Sequence, residues 1–134
     1  MKEYDVIEHS ADLKIIAHGK NLKELYKNAL KGMFETIEPD IIFDDMIERR
    51  IEIKDENQDL SLIDFLSEAL YQSDINNEAY FDVKFFKFEP REISAKLIGN
   101  AVKGFREEIK AVTYHGFELR ETDNGFEAPI IFDI

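Results

Sequence analysis

The 134-residue sequence predicts a single α+β domain in which two helices pack against a mainly antiparallel β-sheet as a two-layer sandwich. Three observations predict it. Apolar residues recur at helical spacing over residues 22–37 and 62–74, and shorter stretches alternate between apolar and polar residues as half-buried strands do. An Asn-Gly step at 124–125 between two alternating stretches indicates a hairpin. The length fits one domain, 1–134, and a hydrophobic content of 44% is enough for one core.

Composition and charge exclude several classes of protein. The chain has no cysteine, so it builds neither a disulfide framework nor a thiolate metal site, which fits a reducing cytoplasm. We find no run of about 18 apolar residues, and the N-terminal segment is acidic where a signal peptide would be apolar, so we expect a cytoplasmic protein without a membrane span. The net charge of −12 repels a phosphate backbone, so direct high-affinity nucleic-acid binding is not expected. The charge serves solubility alone, or it steers a basic partner or a cation to the protein.

The first part of the chain predicts two strands followed by a helix. Tyr4–Glu8 is a short strand, and after a polar break residues 13–18 alternate as a second one. Asn21, with Glu24 three residues later, indicates an N-cap and its capping-box partner. The helix that follows has a clear apolar face, and Pro39 ends it.

The middle of the chain predicts a loop, a strand and a second helix. We expect residues 40–45 to form a loop whose three consecutive apolar residues turn inward. Residues 47–54 alternate as a strand with one apolar face. Ser61 with Asp64 indicates a second capping box, and the apolar pattern of the helix behind it fades near Asp74.

The remaining segments predict further strands. Residues 81–88 form an aromatic strand whose pattern is interrupted near Phe85, where we expect a β-bulge, and residues 93–97 form another strand. Residues 101–108 predict a mobile loop. The terminal hairpin should pair residues 117–120 with 126–132, and its proline should face an edge or a bulge.

The end of the final strand carries an unusual placement of charge. Asp133 and the carboxylate of Ile134 put two anionic groups on adjacent residues. If the first and last strands are neighbours, Asp12 joins them, and carboxylate oxygens are the ligands that Ca²⁺, Mg²⁺ and Mn²⁺ prefer. Spacing alone leaves a second interpretation open, in which Asp12 caps a turn and Asp133 is a solvated tail residue.

Two histidines lie beside these positions. His9 is close to Asp12 in sequence and His115 precedes the terminal hairpin, so each could support a metal site, or only bond to the backbone at a strand end. Neither Ser10 beside His9 nor Thr113 near His115 sits in a G-x-S-x-G context, and no Walker or G-x-G-x-x-G motif is present. We therefore expect that the chain is not itself an enzyme.

The order of these motifs resembles the archease family. Residues 8–12, EHSAD, are similar to that family's E-H-T-A-D segment with Ser for Thr, and residues 60–74 are similar to its second helix. Residues 110–116, KAVTYHG, and residues 130–134, IIFDI, resemble its most distinctive block and its terminus. The resemblance covers nearly the whole chain and is weakest over residues 79–108.

The resemblance implies a function. Archeases are small protein cofactors of the RtcB-type RNA ligase, which joins a 2′,3′-cyclic phosphate or 3′-phosphate RNA end to a 5′-hydroxyl, as in tRNA splicing. The chain would then be a non-catalytic activator that promotes guanylylation and multiple turnover of the ligase. The resemblance also implies a divalent metal at Asp12, Asp133 and Ile134, with Ca²⁺ as the leading candidate and Mn²⁺ or Mg²⁺ as alternatives. The hypothesis from another class is a chaperone-like interaction module that holds proteins through exposed aromatic residues such as Phe85 and Phe105.

Overall fold

The computed structural model describes residues 1–8, 12–43 and 45–134. Over these residues the chain forms two helices and nine strands, and all the strand pairings are antiparallel. No helix in the described ranges is long and apolar enough to cross a membrane. The predicted α+β class, with two helices on antiparallel sheet, is confirmed. The expectation of one sheet is wrong, because the strands divide between two.

The elements follow the chain in this order: β1 (Tyr4–Glu8), β2 (Asp12–Gly19), α1 (Leu22–Thr36), β3 (Pro39–Ile41), β4 (Ile47–Lys54), α2 (Leu62–Asn76), β5 (Glu78–Glu89), β6 (Glu92–Phe105), β7 (Ala111–Thr113), β8 (Arg120–Thr122) and β9 (Gly125–Asp133). The first sheet has the order β1-β2-β9-β7, and β8 pairs with the start of β9. In the second sheet β6 is central and pairs with β5, β4 and β3.

Both helices begin where the capping residues predict. The Asn21 side chain accepts a hydrogen bond from the Glu24 backbone N–H at 2.9 Å. Ser61 and Asp64 form a reciprocal capping box, in which the Ser61 N–H donates to Asp64 at 2.7 Å and the Asp64 N–H donates to the Ser61 hydroxyl at 3.3 Å. These bonds satisfy main-chain donors that the first helical turn leaves without partners. The helix α2 ends at Asn76, and its C-cap residue Asn77 has a left-handed conformation with φ 54°.

The core lies between the helices and both sheets. The helix α1 contacts β2 of the first sheet and β5 of the second, so it joins them. Aromatic rings fill much of this space. Tyr26 lies 5.5 Å from Phe65 between ring centroids, and Phe34 lies 5.4 Å from Tyr80. Aromatic burial of this extent is a main source of hydrophobic stabilisation in a domain of this size.

A buried ion pair in the second sheet was not predicted from the sequence. Glu78 is only 5% exposed. The Arg49 guanidinium donates to both of its carboxylate oxygens, at 3.0 and 2.9 Å, and the Tyr80 hydroxyl donates to one of them at 2.8 Å. Three donors therefore satisfy a carboxylate that burial would otherwise make very costly.

Three expectations about the middle of the chain are corrected. Residues 101–105 are not a mobile loop, because β6 continues through them and pairs with β5 and β3. The predicted loop at 40–45 begins as the short strand β3, and Phe43 is 91% exposed rather than turned inward. Phe85 and Phe105 are not free surface aromatics, since both pack against the core. The bulge expected near Phe85 is confirmed by a register shift between Phe85 and Lys87.

The terminal hairpin has a two-residue turn formed by Asp123 and Asn124, because Thr122 pairs with Gly125. Gly125 has φ +151°, and a Cβ there would lie 2.2 Å from the Gly19 carbonyl oxygen, so only glycine allows this approach of β9 to the end of β2. Pro129 is opposite Ile16 of β2, and on its other flank it lies between the β9 residues that pair with β8 and those that pair with β7. The expectation that this proline faces an edge or a bulge stays a prediction.

Candidate functional site

The strands β2 and β9 pair along their whole length, so the start of one lies against the end of the other. In this register Asp12 is directly opposite Asp133. Directly opposed residues of antiparallel strands have Cα atoms about 4.5–5.5 Å apart, and their side chains share one face of the sheet. The two aspartates, separated by most of the chain in sequence, are therefore neighbours in space, as the metal hypothesis requires.

Strand alternation places this pair on the face of the sheet that points away from the core. The next pair along, Leu13 and Phe132, is buried at 5% and 0% exposed, so Asp12 and Asp133 point to the other side. Ala111 of β7 is opposite Asp133 on its other flank. At this position β7 contributes only a methyl side chain.

The Asp12 carboxylate lacks a partner within the chain that the structure describes. Its Oδ1 atom is buried and has no hydrogen-bond partner among the described residues. Neither Asp12 nor Asp133 forms an ion pair with any residue in the described ranges. Opposed like charges destabilise a strand pair, and a buried oxygen without a partner costs further free energy. A hard cation would relieve both costs, so the donor set fits the metal that the sequence predicts.

The number of side-chain ligands is small. Across residues 1–8, 12–43 and 45–134, no three side chains of His, Cys, Asp or Glu come together in a group that could hold a metal ion. Ile134 follows Asp133 directly and packs in part against the core, so the main-chain oxygen of Ile134 is adjacent to the aspartate pair. Since Ca²⁺ takes about six to eight oxygen ligands, a site built from Asp12, Asp133 and Ile134 would leave positions open to water or to a second molecule.

The two histidines differ in what the structure says of them. His9 and its neighbour Ser10 lie outside the described residues. His115 is exposed on the turn after β7, and its backbone N–H donates to the Thr113 hydroxyl at 3.0 Å. Strand β7 runs from the position opposite Asp133 toward Thr113, so His115 lies beyond the far end of this strand. Its role beside the metal stays a prediction.

The turn that carries His115 is held against α2 by a contact that the sequence did not reveal. The Tyr114 hydroxyl donates to the Asp64 carboxylate, the same group that caps α2. This hydrogen bond, followed by partial burial, raises the pKa of Tyr114 to about 12. Since a strand pattern gives no information about a residue 50 positions away, only the folded chain shows that this turn and the start of α2 meet.

Comparison with known proteins gives a consistent result. Residues 4–134 match the family model described as the archease protein family (MTH1598/TM1083). The protein archease of Methanosarcina mazei is 33% identical, over 99% of this chain and 97% of its own length. The protein archease of Methanothermobacter thermautotrophicus is 30% identical over the full length of both chains.

Two solved structures share the fold. The solution structure of Methanobacterium thermoautotrophicum protein 1598 superimposes with a TM-score of 0.77 at 30% identity, and the match covers 100% of both chains. The crystal structure of an archease, a possible chaperone, from Thermotoga maritima superimposes with a TM-score of 0.62 over 96% of this chain and 94% of its own. At 21% identity the second structure supports the fold alone.

Proposed function

This chain belongs to the archease family, and from that premise we propose that it is a non-catalytic activator of an RtcB-type RNA ligase in tRNA splicing and RNA repair. The observation that supports the proposal most directly is the register that sets Asp12 opposite Asp133. These residues belong to EHSAD and IIFDI, two of the four segments that carry the resemblance to the family.

The proposed metal ligands are the Asp12 and Asp133 carboxylates and the main-chain oxygen of Ile134. Divalent cations such as Ca²⁺, Mn²⁺ or Mg²⁺, when bound, neutralise charge that develops on phosphates during nucleotidyl transfer. The chain's own contribution is to hold Asp12 and Asp133 on two paired strands, so that neither can move independently of the sheet. Rigid placement of this kind limits the reorganisation that binding would otherwise require.

The surface charge favours a basic partner. The net charge is −12, so the protein would be drawn to a ligase whose RNA-binding surface is positively charged. The two aspartates lie at one end of the first sheet and on its outer face, where Asp133 is exposed and Asp12 is partly buried. Docking there would bring the two carboxylates near the reacting phosphates of the ligase, and this protein would contribute no catalytic group.

The experiment that tests the proposal is multiple-turnover RNA ligation by the ligase from the same organism. We expect stoichiometric protein to raise both the rate of ligase guanylylation and the number of turnovers. Asp12→Asn should abolish this gain, because it removes one charged ligand and keeps the side-chain shape. Glu121→Gln, which removes one exposed charge from β8, is the matched control and should activate as the wild type does.

Two results would contradict the proposal. Unchanged activation by Asp12→Asn would remove the carboxylate pair from the mechanism. RNA joining or GTP turnover by this protein with metal but without the ligase would show that it is an enzyme, since our proposal assigns all chemistry to the ligase. Calorimetric titration with Ca²⁺ and Mn²⁺ should show binding to the wild type and to Glu121→Gln only.

The second hypothesis is a chaperone-like interaction module. A specific observation favours it: Phe43 and Met46, both in the β3–β4 connection, are 91% and 73% exposed. On this hypothesis the wild type would suppress aggregation of an unrelated client, and Phe43→Ser would lose that effect. Activation of the ligase with no effect on such clients would reject it.

A further inference from the structure

A cavity of about 240 Å³ opens beside the C-terminal end of α2. None of the residues that line it belongs to the Asp12–Asp133 pair, so it is a separate feature of the molecule. Its floor is apolar and almost fully buried, apart from the half-buried ring of Phe105. The floor residues are Ile37, Leu70, Val102, Phe105 and Ile109.

The rim of this cavity is acidic. Asp74, Glu107 and Glu108 line it, and within the described ranges none of the three forms an ion pair. The last turn of α2 holds no basic residue that would offset the negative end of the helix dipole. Burial, and then the nearby Glu108 carboxylate, raise the pKa of Asp74. Several sources of negative potential thus meet at one opening.

A buried hydroxyl without a partner lies in the same cavity. Ser73 is 1% exposed and lines the cavity, and its Oγ atom has no hydrogen-bond partner among the described residues. A helical serine or threonine ordinarily bonds back to the carbonyl four residues earlier, as Thr36 does to Gly32 at 2.6 Å in α1. Ser73 does not make that bond. A buried hydroxyl left unpaired is unfavourable, so its placement indicates a polar group that enters from the cavity.

The arrangement selects the kind of ligand. The rim carboxylates do not converge closely enough to form a metal-binding group within the described part of the chain. The floor is apolar, so a bare ion would leave it uncovered, whereas a flexible alkyl stem would bury against it. We propose that this cavity binds a primary alkylammonium group, with the ammonium at Ser73 and Asp74 and the stem on the apolar floor. A lysine side chain of a partner protein and a free aliphatic polyamine share this chemistry.

The test uses the intact protein and n-butylammonium chloride as the probe. We expect saturable shifts of the amide NMR signals of Ser73, Asn77 and Gly104. Ser73→Ala and Asp74→Asn should each weaken binding roughly tenfold, because the first removes a hydrogen-bond acceptor for the ammonium and the second removes the negative charge that faces it. Glu121→Gln makes the same charge change as Asp74→Asn at a distant exposed site and should bind as the wild type does.

Ser73→Ala provides a readout that does not depend on measured affinity. Without ligand it should raise the thermal midpoint, since an unpaired buried hydroxyl is removed. Saturating n-butylammonium should then raise the thermal midpoint of the wild type by more than it raises that of Ser73→Ala. A variant that is less stable without ligand would show that the hydroxyl is satisfied in the native protein, which overturns the inference.

Two ligands separate the possible sources of the ammonium group. If the natural ligand is a protein side chain, the peptide Gly-Gly-Lys-Gly-Gly should bind more tightly than spermidine; if it is a free polyamine, the order should reverse. Equal shifts with n-butanol or with ammonium chloride would overturn the inference, because each lacks one half of the proposed ligand. The absence of shifts with n-butylammonium would overturn it as well. None of these results depends on activation of a ligase.

Discussion

The effect of Asp12→Asn on stability should change sign when a divalent cation is added. In the register of β2 and β9 the Asp12 and Asp133 carboxylates face each other, and no cation within the described ranges offsets them. Without metal the wild type therefore contains a repulsive cross-strand pair. With metal the same two carboxylates become ligands.

The expected magnitudes follow from this geometry. A cross-strand charge pair is worth about 0.2–1 kcal/mol, so Asp12→Asn should raise the free energy of unfolding by roughly 0.7 kcal/mol in a chelator. A ligand at about 100 times its dissociation constant stabilises a folded protein by about 2.7 kcal/mol. The wild type gains this amount, and the variant, with one charged ligand fewer, gains little. When the divalent cation is present, the wild type should therefore be more stable than the variant by about 2 kcal/mol, which is the gain from the cation less the repulsion between the carboxylates.

The assay is urea denaturation followed by far-ultraviolet circular dichroism, with EDTA and then with Ca²⁺. Glu121→Gln controls for the loss of one negative charge from an acidic protein and should gain as much from Ca²⁺ as the wild type does. The reasoning fails if Asp12→Asn is destabilised in EDTA, because the pair would then not be repulsive. It also fails if Ca²⁺ stabilises the wild type and Asp12→Asn equally.

Two further predictions concern the core. Arg49→Met should lower the free energy of unfolding by about 3 kcal/mol at neutral pH, because it leaves the buried Glu78 carboxylate without two of its hydrogen-bond donors. This value is the lower end of the range for broken buried ion pairs, since the side chain of Arg49 is 37% exposed. In urea denaturation the neighbouring Arg50→Met is the control, and equal losses in the two variants would refute this reasoning. Burial raises the pKa of Tyr26 to about 12. The stability that the neutral Tyr26 phenol contributes is therefore complete below about pH 10, where unfolded tyrosine titrates. It is lost as the pH rises from about 10 toward 12, by about 1.4 kcal/mol per pH unit. Tyr26→Phe should flatten the alkaline dependence of the free energy of unfolding, measured by urea denaturation, by that amount. An unchanged slope would show that the Tyr26 phenol is not buried in solution.

The polar features of this fold fall into two groups with different consequences. The Arg49–Glu78 pair is satisfied inside the second sheet and serves stability. Asp12 Oδ1 and Ser73 Oγ are buried and lack hydrogen-bond partners among the described residues, and Ser73 lines the cavity beside α2. Because unpaired buried groups are unfavourable for folding, they are stronger indications of binding than the satisfied pair is.

The sequence by itself determined the local structure. The bounds of β1 and β4 agree with the predicted strands, and Asn21 and Ser61 cap the helices as predicted. These features depend on interactions between residues within a few positions of one another, such as the bond from the Ser61 N–H to Asp64, so a periodic pattern and one capping residue are sufficient to predict them.

Only the tertiary structure decided which distant segments meet. The pairing of Asp12 with Asp133 was a conditional expectation, since spacing cannot show which strands are neighbours. The division into two sheets, the continuation of β6 through residues 101–105 and the buried Arg49–Glu78 pair were not predicted. The physical reason is that strand pairing satisfies backbone groups of segments far apart in sequence, and many registers satisfy them equally well until the helices and the core select one.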